Sequence, residues 1–283
     1  MNELKTWGEC LDYTLSNRAT WKRGGGAQAA RIYAGYFTRL RGRSFPADKL
    51  RQAILRQCCE ELIDEGKTNA TVNRFISAVS TVLNHCKTDE VINFEIPRFE
   101  RYKEEDSVRA YFTKEQVEKI VWVARNEFQN DSLADITLMG AYTGMRQAEI
   151  LGVKAKDIDL HLNVINIPKT KSGKARSVPI HNELKPVLME KLEYCSPNVQ
   201  IFGDCFHDRH QLLRQFKNVV RKYMQLDERY CFHSLRHTFA TWHVQAGTHF
   251  RELMAMLGHS AIETTLIYAK STDMSRQSAI NNI

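Results

Sequence analysis

His233, Arg236, His259 and Tyr268 all fall in one C-terminal segment, HSLRHTFATWHVQAGTHFRELMAMLGHSAIETTLIYAK. Together these residue types can do phosphoryl chemistry. A phenol, with an ordinary pKa of about 10, is a weak nucleophile at neutral pH until it is activated. Flanking cations favour the phenolate, and a histidine can take or relay its proton. Two arginines gripping a phosphate would stabilise the charge that builds on the equatorial oxygens during transfer. Arg236 is one such arginine. Arg146, in TGMRQAEI, is a second, with Glu149 three residues on to orient it. Each has a duller reading, because a lone arginine is most often a surface or ion-pair residue and a helical tyrosine most often packs.

Local signals say how these residues are held. His233 and Arg236 are three apart and share a helix face. Gly247 suits the position after that helix, and Thr248 suits the cap of the next. Gly258 ends the second helix and leaves His259 in a tight turn. Ser260 and Glu263 have the spacing of a capping box, so a third helix should start near Ala261. At about 100° per residue, Ile262, Leu266 and Ala269 form its apolar side. Tyr268 falls roughly 120° away, with Thr264 and Ser271, so it is expected outside the core. Arg146 follows a Thr143-Gly144 break, where a new helix would begin.

The remaining elements supply the frame. The chain is helical up to about Lys87, with Ala27 to Leu40 after a glycine run, Pro46 as a first helical residue before Leu50, Ile54 and Leu55, and Asn69 to Leu83. A small four-helix domain is expected over residues 1–95. The proline-bearing, densely charged stretch Ile96 to Ala110 reads as a linker, and residues 111–283 as a second domain. There Thr113 is a helix cap with Glu115 in the first turn, and Leu133 to Tyr142 is an apolar helix. In DIDLHLNVINIPKTKSGKARSVPI the period shortens, with Ile158, Leu160, Leu162, then Val164, Ile165, Ile167, then Val178 and Ile180. Turn residues at Asn163 and Ser172-Gly173 separate three short antiparallel strands. The predicted fold is mainly α with a small antiparallel β-sheet, an α+β arrangement.

Composition narrows the partners. Formal charge is +7, and Arg18 to Arg56 holds ten basic residues with Asp48 as the only acid. The following segment reverses sign. Such one-sidedness suits a nucleic-acid backbone, and Arg18, Lys22, Arg23, Arg31, Arg39, Arg41 and Arg43 are the candidate DNA contacts. The seven cysteines show no CxxC pair and read as reduced thiols. The N-terminus MNELKTWGEC has no signal-peptide character and nothing is long enough to span a bilayer, so a cytoplasmic location and no membrane partner are expected. His233 and His237 are spaced as zinc ligands can be, but Arg236 between them would repel a cation; His237 reads as structural. His207 and His210 lack further ligands nearby. No cofactor or metal is expected.

TGMRQAEILGV and the segment from His233 to Lys270 resemble the two arginine boxes of the tyrosine recombinases of the phage-integrase family. The resemblance runs from about Val108 to Lys270. It implies that Arg146 and Arg236 bind a scissile DNA phosphate, that His233 acts in proton transfer, that His259 hydrogen-bonds the phosphate and that Tyr268 attacks it. It also implies a lysine on the hairpin between the second and third strands as the acid for the leaving 5′-oxygen. Of Lys169, Lys171 and Lys174, Lys171 fits best by its distance from VPI, with Lys169 next. Further implications are a 3′-phosphotyrosyl intermediate needing neither ATP nor metal, double-stranded recombination sites as substrate, a homotetramer on DNA, and a DNA-bending or directionality factor as a possible partner. A phage or mobile-element integrase is the leading reading. A Xer-like dimer resolvase, a type IB topoisomerase and a non-catalytic DNA-binding regulator are the alternatives.

Overall fold

The structure is a computed structural model that describes residues 3–22, 26–104, 109–168, 175–206, 208–259 and 268. The chain divides into two compact units, Met1–Asp106 and Ser107–Ile283.

The first unit is helical: α1 (Trp7–Asn17), a single turn α2 (Ala19–Lys22), α3 (Gly26–Arg41), α4 (Gln52–Asp64) and α5 (Asn69–Thr88). A capping box starts α1, in which Thr6 accepts from the Glu9 amide and Glu9 accepts from the Thr6 amide. The helices close over Trp7, Phe37, Leu62, Phe75 and Leu83, with the Trp7 and Phe37 ring centroids 4.8 Å apart. Pro46 does not open α4 as its position suggests. It caps a single 3-10 turn, Ala47–Lys49, and pairs with Thr6. Backbone bonds from Trp7 to Phe45 and from Ala47 to Lys5 pin this stretch to the start of α1, so the helix waits until Gln52. The stretch from Ile96 to Glu104 lies along this unit. The Asn73 side chain on α5 donates to the Tyr102 carbonyl at 2.8 Å and accepts from its amide at 2.9 Å, while Ile96, Phe99 and Tyr102 pack on the core.

The second unit begins with α6 (Lys114–Asn126), α7 (Asp131–Thr143) and α8 (Gln147–Gly152). Thr113 caps α6 in a box closed by Gln116. Three antiparallel strands follow in the order β1-β2-β3: β1 (Ile158–Asp159), β2 (Val164–Ile167) and β3 (Arg176–Pro179). Asn163 takes the left-handed turn conformation between β1 and β2, at φ 58°. Ile165, Ile167 and Val178 face the core, with Ile165 opposite Val178 and Ile167 opposite Arg176. The unit continues with α9 (Lys185–Glu193), α10 (Arg209–Asn218), α11 (Ser234–Gln245) and α12 (Phe250–Leu257). Its core includes Phe112, Ile120, Leu133, Ile136, Phe202 and Phe216. The amide of Phe112 donates to Thr238 and its carbonyl accepts from Trp242, which fixes the start of the unit to α11. All seven cysteines are free thiols. Among the described residues no helix is long and apolar enough to cross a membrane.

Candidate active site

Helix ends place Arg146, His233, Arg236 and His259. Helix α7 stops where Gly144 turns left-handed at φ 62°, and Arg146 then becomes the N-cap of α8. A β-carbon at Gly144 would lie 2.6 Å from Phe239 and 2.9 Å from Leu257, so only glycine serves there. His233 is the N-cap of α11, and Arg236 lies one turn in. Gly247, at φ 75°, follows α11. The next cap is His249 and not Thr248: the His249 ring accepts from the Arg251 amide, whereas the Thr248 hydroxyl pairs with His243 at 2.9 Å. Helix α12 ends in left-handed Gly258, at φ 67°, and delivers His259.

Two buried arginines bridge the same two corners. Arg236 donates from Nη1 to the Gly144 carbonyl and from Nη2 to the Leu257 carbonyl, both at 2.6 Å. Two of its five donors are thereby committed to the frame. Beneath Arg146 lies the buried Glu149, which accepts from the Arg146 amide at 2.7 Å and from its Nη1 at 3.1 Å. Arg146 stays 31% exposed at the mouth. Arg176, on β3, closes a two-pronged ion pair with Glu149 at 3.0 and 2.7 Å. Burial pushes Glu149 up, but Arg176 and then Arg146 outweigh it and hold the carboxyl at about 2.

Tyr268, in helical backbone, is 3% exposed and packs with Phe239, Ala240, Leu253 and Leu257. This corrects the expectation that lying off the apolar stripe keeps it from the core. Tyr268 faces a wall made by α11 and α12, and α11 also brings a polar group to it. Its hydroxyl meets that group, His237 Nδ1, at 2.7 Å. His237 in turn stands edge-on to His233, ring centroids 4.8 Å apart. Burial raises the Tyr268 phenol, while Arg109 and Arg236 pull it down, Arg109 also through a hydrogen bond. Burial, then neighbouring positive charge, holds His237 at about 3 and His259 at about 4, and lowers His233 in the same way. Burial foremost brings Arg236 down to about 10, still a cation at neutral pH.

Arg146, His233, Arg236, His259 and Tyr268 thus belong to one electrostatic site. Lys169, Lys171 and Lys174 lie outside the described residues, as do His207 and the capping pair Ser260 and Glu263. Residue types and spacing missed three members: His237, Arg109 and Arg176. Arg176 did leave a signal, since it is in phase with the inward Val178 and Ile180, and a cation on a core face must have a buried partner. Among the described residues no cluster of His, Cys, Asp or Glu could hold a metal ion.

In the first unit part of the basic stretch is paired with acids. Arg39 forks onto Glu65 at 2.7 and 2.8 Å, Arg41 bonds Glu61 at 2.7 Å, and Arg43 bonds Asp12. The Arg18 guanidinium lies over the Trp21 ring. Arg31 is exposed on α3; Arg23 and the Lys22 side chain lie outside the described residues.

A fold of this kind, with a tyrosine among arginines and histidines at helix ends, defines a class. The phage integrase family matches residues 110–275. The tyrosine recombinase XerA of Thermococcus kodakarensis is 30% identical over 214 residues, covering 73% of this chain and 74% of that protein. The tyrosine recombinase XerC of Corynebacterium glutamicum is 29% identical over 250 residues, covering 83% and 78%. The chain belongs to the phage integrase family of tyrosine recombinases, site-specific recombination enzymes. The fold is shared with the Tn1549 transposon integrase, solved with transposon right end DNA, at a TM-score of 0.77 and 18% identity over 98% of this chain and 99% of that one. A lambda integrase dimer bound to a core site gives 0.74 and 19% over 94% and 77%.

Proposed function

We propose that this recombinase cuts and rejoins double-stranded DNA through a covalent link from Tyr268 to a 3′-phosphate, and that it serves a phage or mobile element as its integrase. The observation that carries the reading is the placement of the Tyr268 hydroxyl, 2.7 Å from His237 and within the field of Arg236. A packing tyrosine needs a partner for its buried hydroxyl, but not the charge of two arginines, Arg109 and Arg236, besides.

The chemistry follows from the groups present. Arg146 and the uncommitted donors of Arg236 bind the non-bridging oxygens of the scissile phosphate. His259, held neutral, donates a hydrogen bond to the same oxygens. The Tyr268 oxygen attacks phosphorus as its proton passes to the His233–His237 pair, the bond to the 5′-oxygen breaks, and Lys171 protonates that leaving oxygen. Attack by a 5′-hydroxyl of a partner duplex then releases Tyr268 and restores a phosphodiester. One bond is exchanged for another of the same kind at each step, so no outside energy source is consumed. Double-stranded sites, a tetrameric assembly and a bending or directionality factor are the partners expected on this reading, and the first unit is the second DNA-contacting surface.

The test is trapping. The full chain is incubated with nicked duplexes carrying a randomised segment, and covalent adducts are recovered and sequenced. Adducts on one sequence family with wild type, and none with Tyr268→Phe, support the reading. Equal adducts with Tyr268→Phe exclude Tyr268 as nucleophile.

A further inference from the structure

Arg176 belongs to no part of the reaction described above, yet among the described residues of the sheet it is the one tied most firmly to the site. It sits on β3 with its side chain 6% exposed. Its two terminal nitrogens fork onto Glu149, the carboxylate that holds both the backbone and the guanidinium of Arg146. Its Nε donates to the Met256 carbonyl at 2.7 Å. Along the way the side chain passes under Gly258, where a β-carbon would sit 3.0 Å from Arg176 Cδ and 3.1 Å from Nη1. Gly258 is the residue before His259.

Arg236 spans the same gap, from Gly144 to Leu257. The molecule therefore has two parallel staples between the α7–α8 corner, which carries Arg146, and the end of α12, which carries His259. An arginine suits this role because its planar fork satisfies a carboxylate with two donors and leaves Nε for a third partner. Lysine offers one point charge and cannot hold all three.

We propose that Arg176 is a positioning residue for strand cleavage, which sets the spacing between Arg146 and His259 and puts its charge beside the His259 ring. This rests on the reading that both groups face the scissile phosphate. The positive charge of Arg176 is among those that hold His259 below its ordinary range, after burial, Arg236, Arg146 and Arg109.

The test uses Arg176→Lys, Arg176→Gln and the double variant Arg176→Gln with Glu149→Gln in the full chain. The double variant removes the buried carboxylate together with Arg176, so it recovers part of the thermal midpoint lost by Arg176→Gln alone. Duplex binding by gel shift, adduct formation on the sequence recovered by trapping, and the titration of His259 by nitrogen NMR are then measured. Arg176→Lys is expected to bind DNA within twofold of wild type while adduct formation slows by about tenfold to a hundredfold, the loss that goes with reacting groups misplaced by an ångström or less. The double variant is expected to stay slow, and His259 to titrate at higher pH in Arg176→Gln than in Arg176→Lys. Adduct formation in Arg176→Lys within threefold of wild type would overturn the proposal, as would recovery of cleavage along with the fold in the double variant. The NMR arm needs no activity. If wild type forms no adduct, the Tyr268 reading fails, and an unmoved His259 titration separately refutes Arg176.

Discussion

At the scale of single residues, Tyr268 and His237 show how chemistry and packing share one side chain. Sequence identified Tyr268 by the company it keeps, but helical periodicity alone put it outside the core. Burial is a property of the wall opposite, and that wall is built from α11 and α12 residues far along the chain. In the sequence His237 reads as structural because Arg236, between it and His233, would repel a metal cation; only the folded partner, 31 positions away, gives it a task. His237→Ala removes that hydrogen bond, worth about 1 kcal/mol net, so adduct formation should slow by at least about fivefold with DNA binding unchanged in a gel shift. A pH consequence follows from the same burial. His237 and His259 titrate in the fold at about 3 and about 4, against 6.5 in the open chain. Below pH 6.5 the unfolded chain takes up protons that the fold refuses, so stability is full above that pH. It falls as pH drops, by at most about 1.4 kcal/mol per unit for each histidine. Glu149, held at about 2 against 4.5, adds its own loss only below 4.5. The urea midpoint should therefore decline from pH 6.5 to pH 5, and less steeply in His237→Asn; a flat midpoint over that span would refute the assignment.

At the scale of elements, the site is a set of helix ends. Those ends were legible where a residue type has one dominant use. Thr143-Gly144, Gly247 and Gly258 stop helices as expected, and Thr113 starts one. Thr248 and Pro46 were misread because other parts of the fold claim them: Thr248 is taken by His243, and Pro46 is pinned beside Thr6. Sequence shows which residues can cap, and tertiary contacts decide which do. Two of these glycines allow a controlled comparison. Both have positive φ, but Gly247 has open space around it while Gly144 faces Phe239 and Leu257. Gly247→Ala should cost only the left-handed strain, about 1 kcal/mol. Gly144→Ala adds overpacking of about 1–3 kcal/mol and moves the carbonyl that holds Arg236. Urea unfolding of the two variants should separate by at least about 1 kcal/mol, and cleavage should fail only in Gly144→Ala.

At the scale of the whole molecule, charge is where sequence and structure diverge most. Ten bases against one acid between Arg18 and Arg56 suggest an uninterrupted basic face. The fold brings acids from outside that stretch onto it, Asp12 to Arg43, Glu61 to Arg41 and Glu65 to Arg39. Linear counting cannot see this, because Arg39 and Glu65 are 26 positions apart and meet only when α3 and the end of α4 pack together. Exposed pairs of this kind contribute little to stability, so they can reopen on DNA, but a phosphate must then compete with a carboxylate. Arg31, exposed on α3, has no ion pair among the described residues. If the first unit contacts DNA through its basic stretch, Arg31→Ala should weaken binding to any duplex. It should also flatten the slope of log affinity against log salt by about 0.9, the release of one phosphate's counterions. Arg39→Ala should do less, because both terminal nitrogens of Arg39 are already taken up by Glu65. Glu65→Gln should do the reverse and strengthen binding, most visibly at low salt where charges are least screened. Fluorescence anisotropy across a salt series distinguishes the three. An unchanged slope in Arg31→Ala together with an unchanged affinity in Glu65→Gln would move the DNA contacts of this unit off α3.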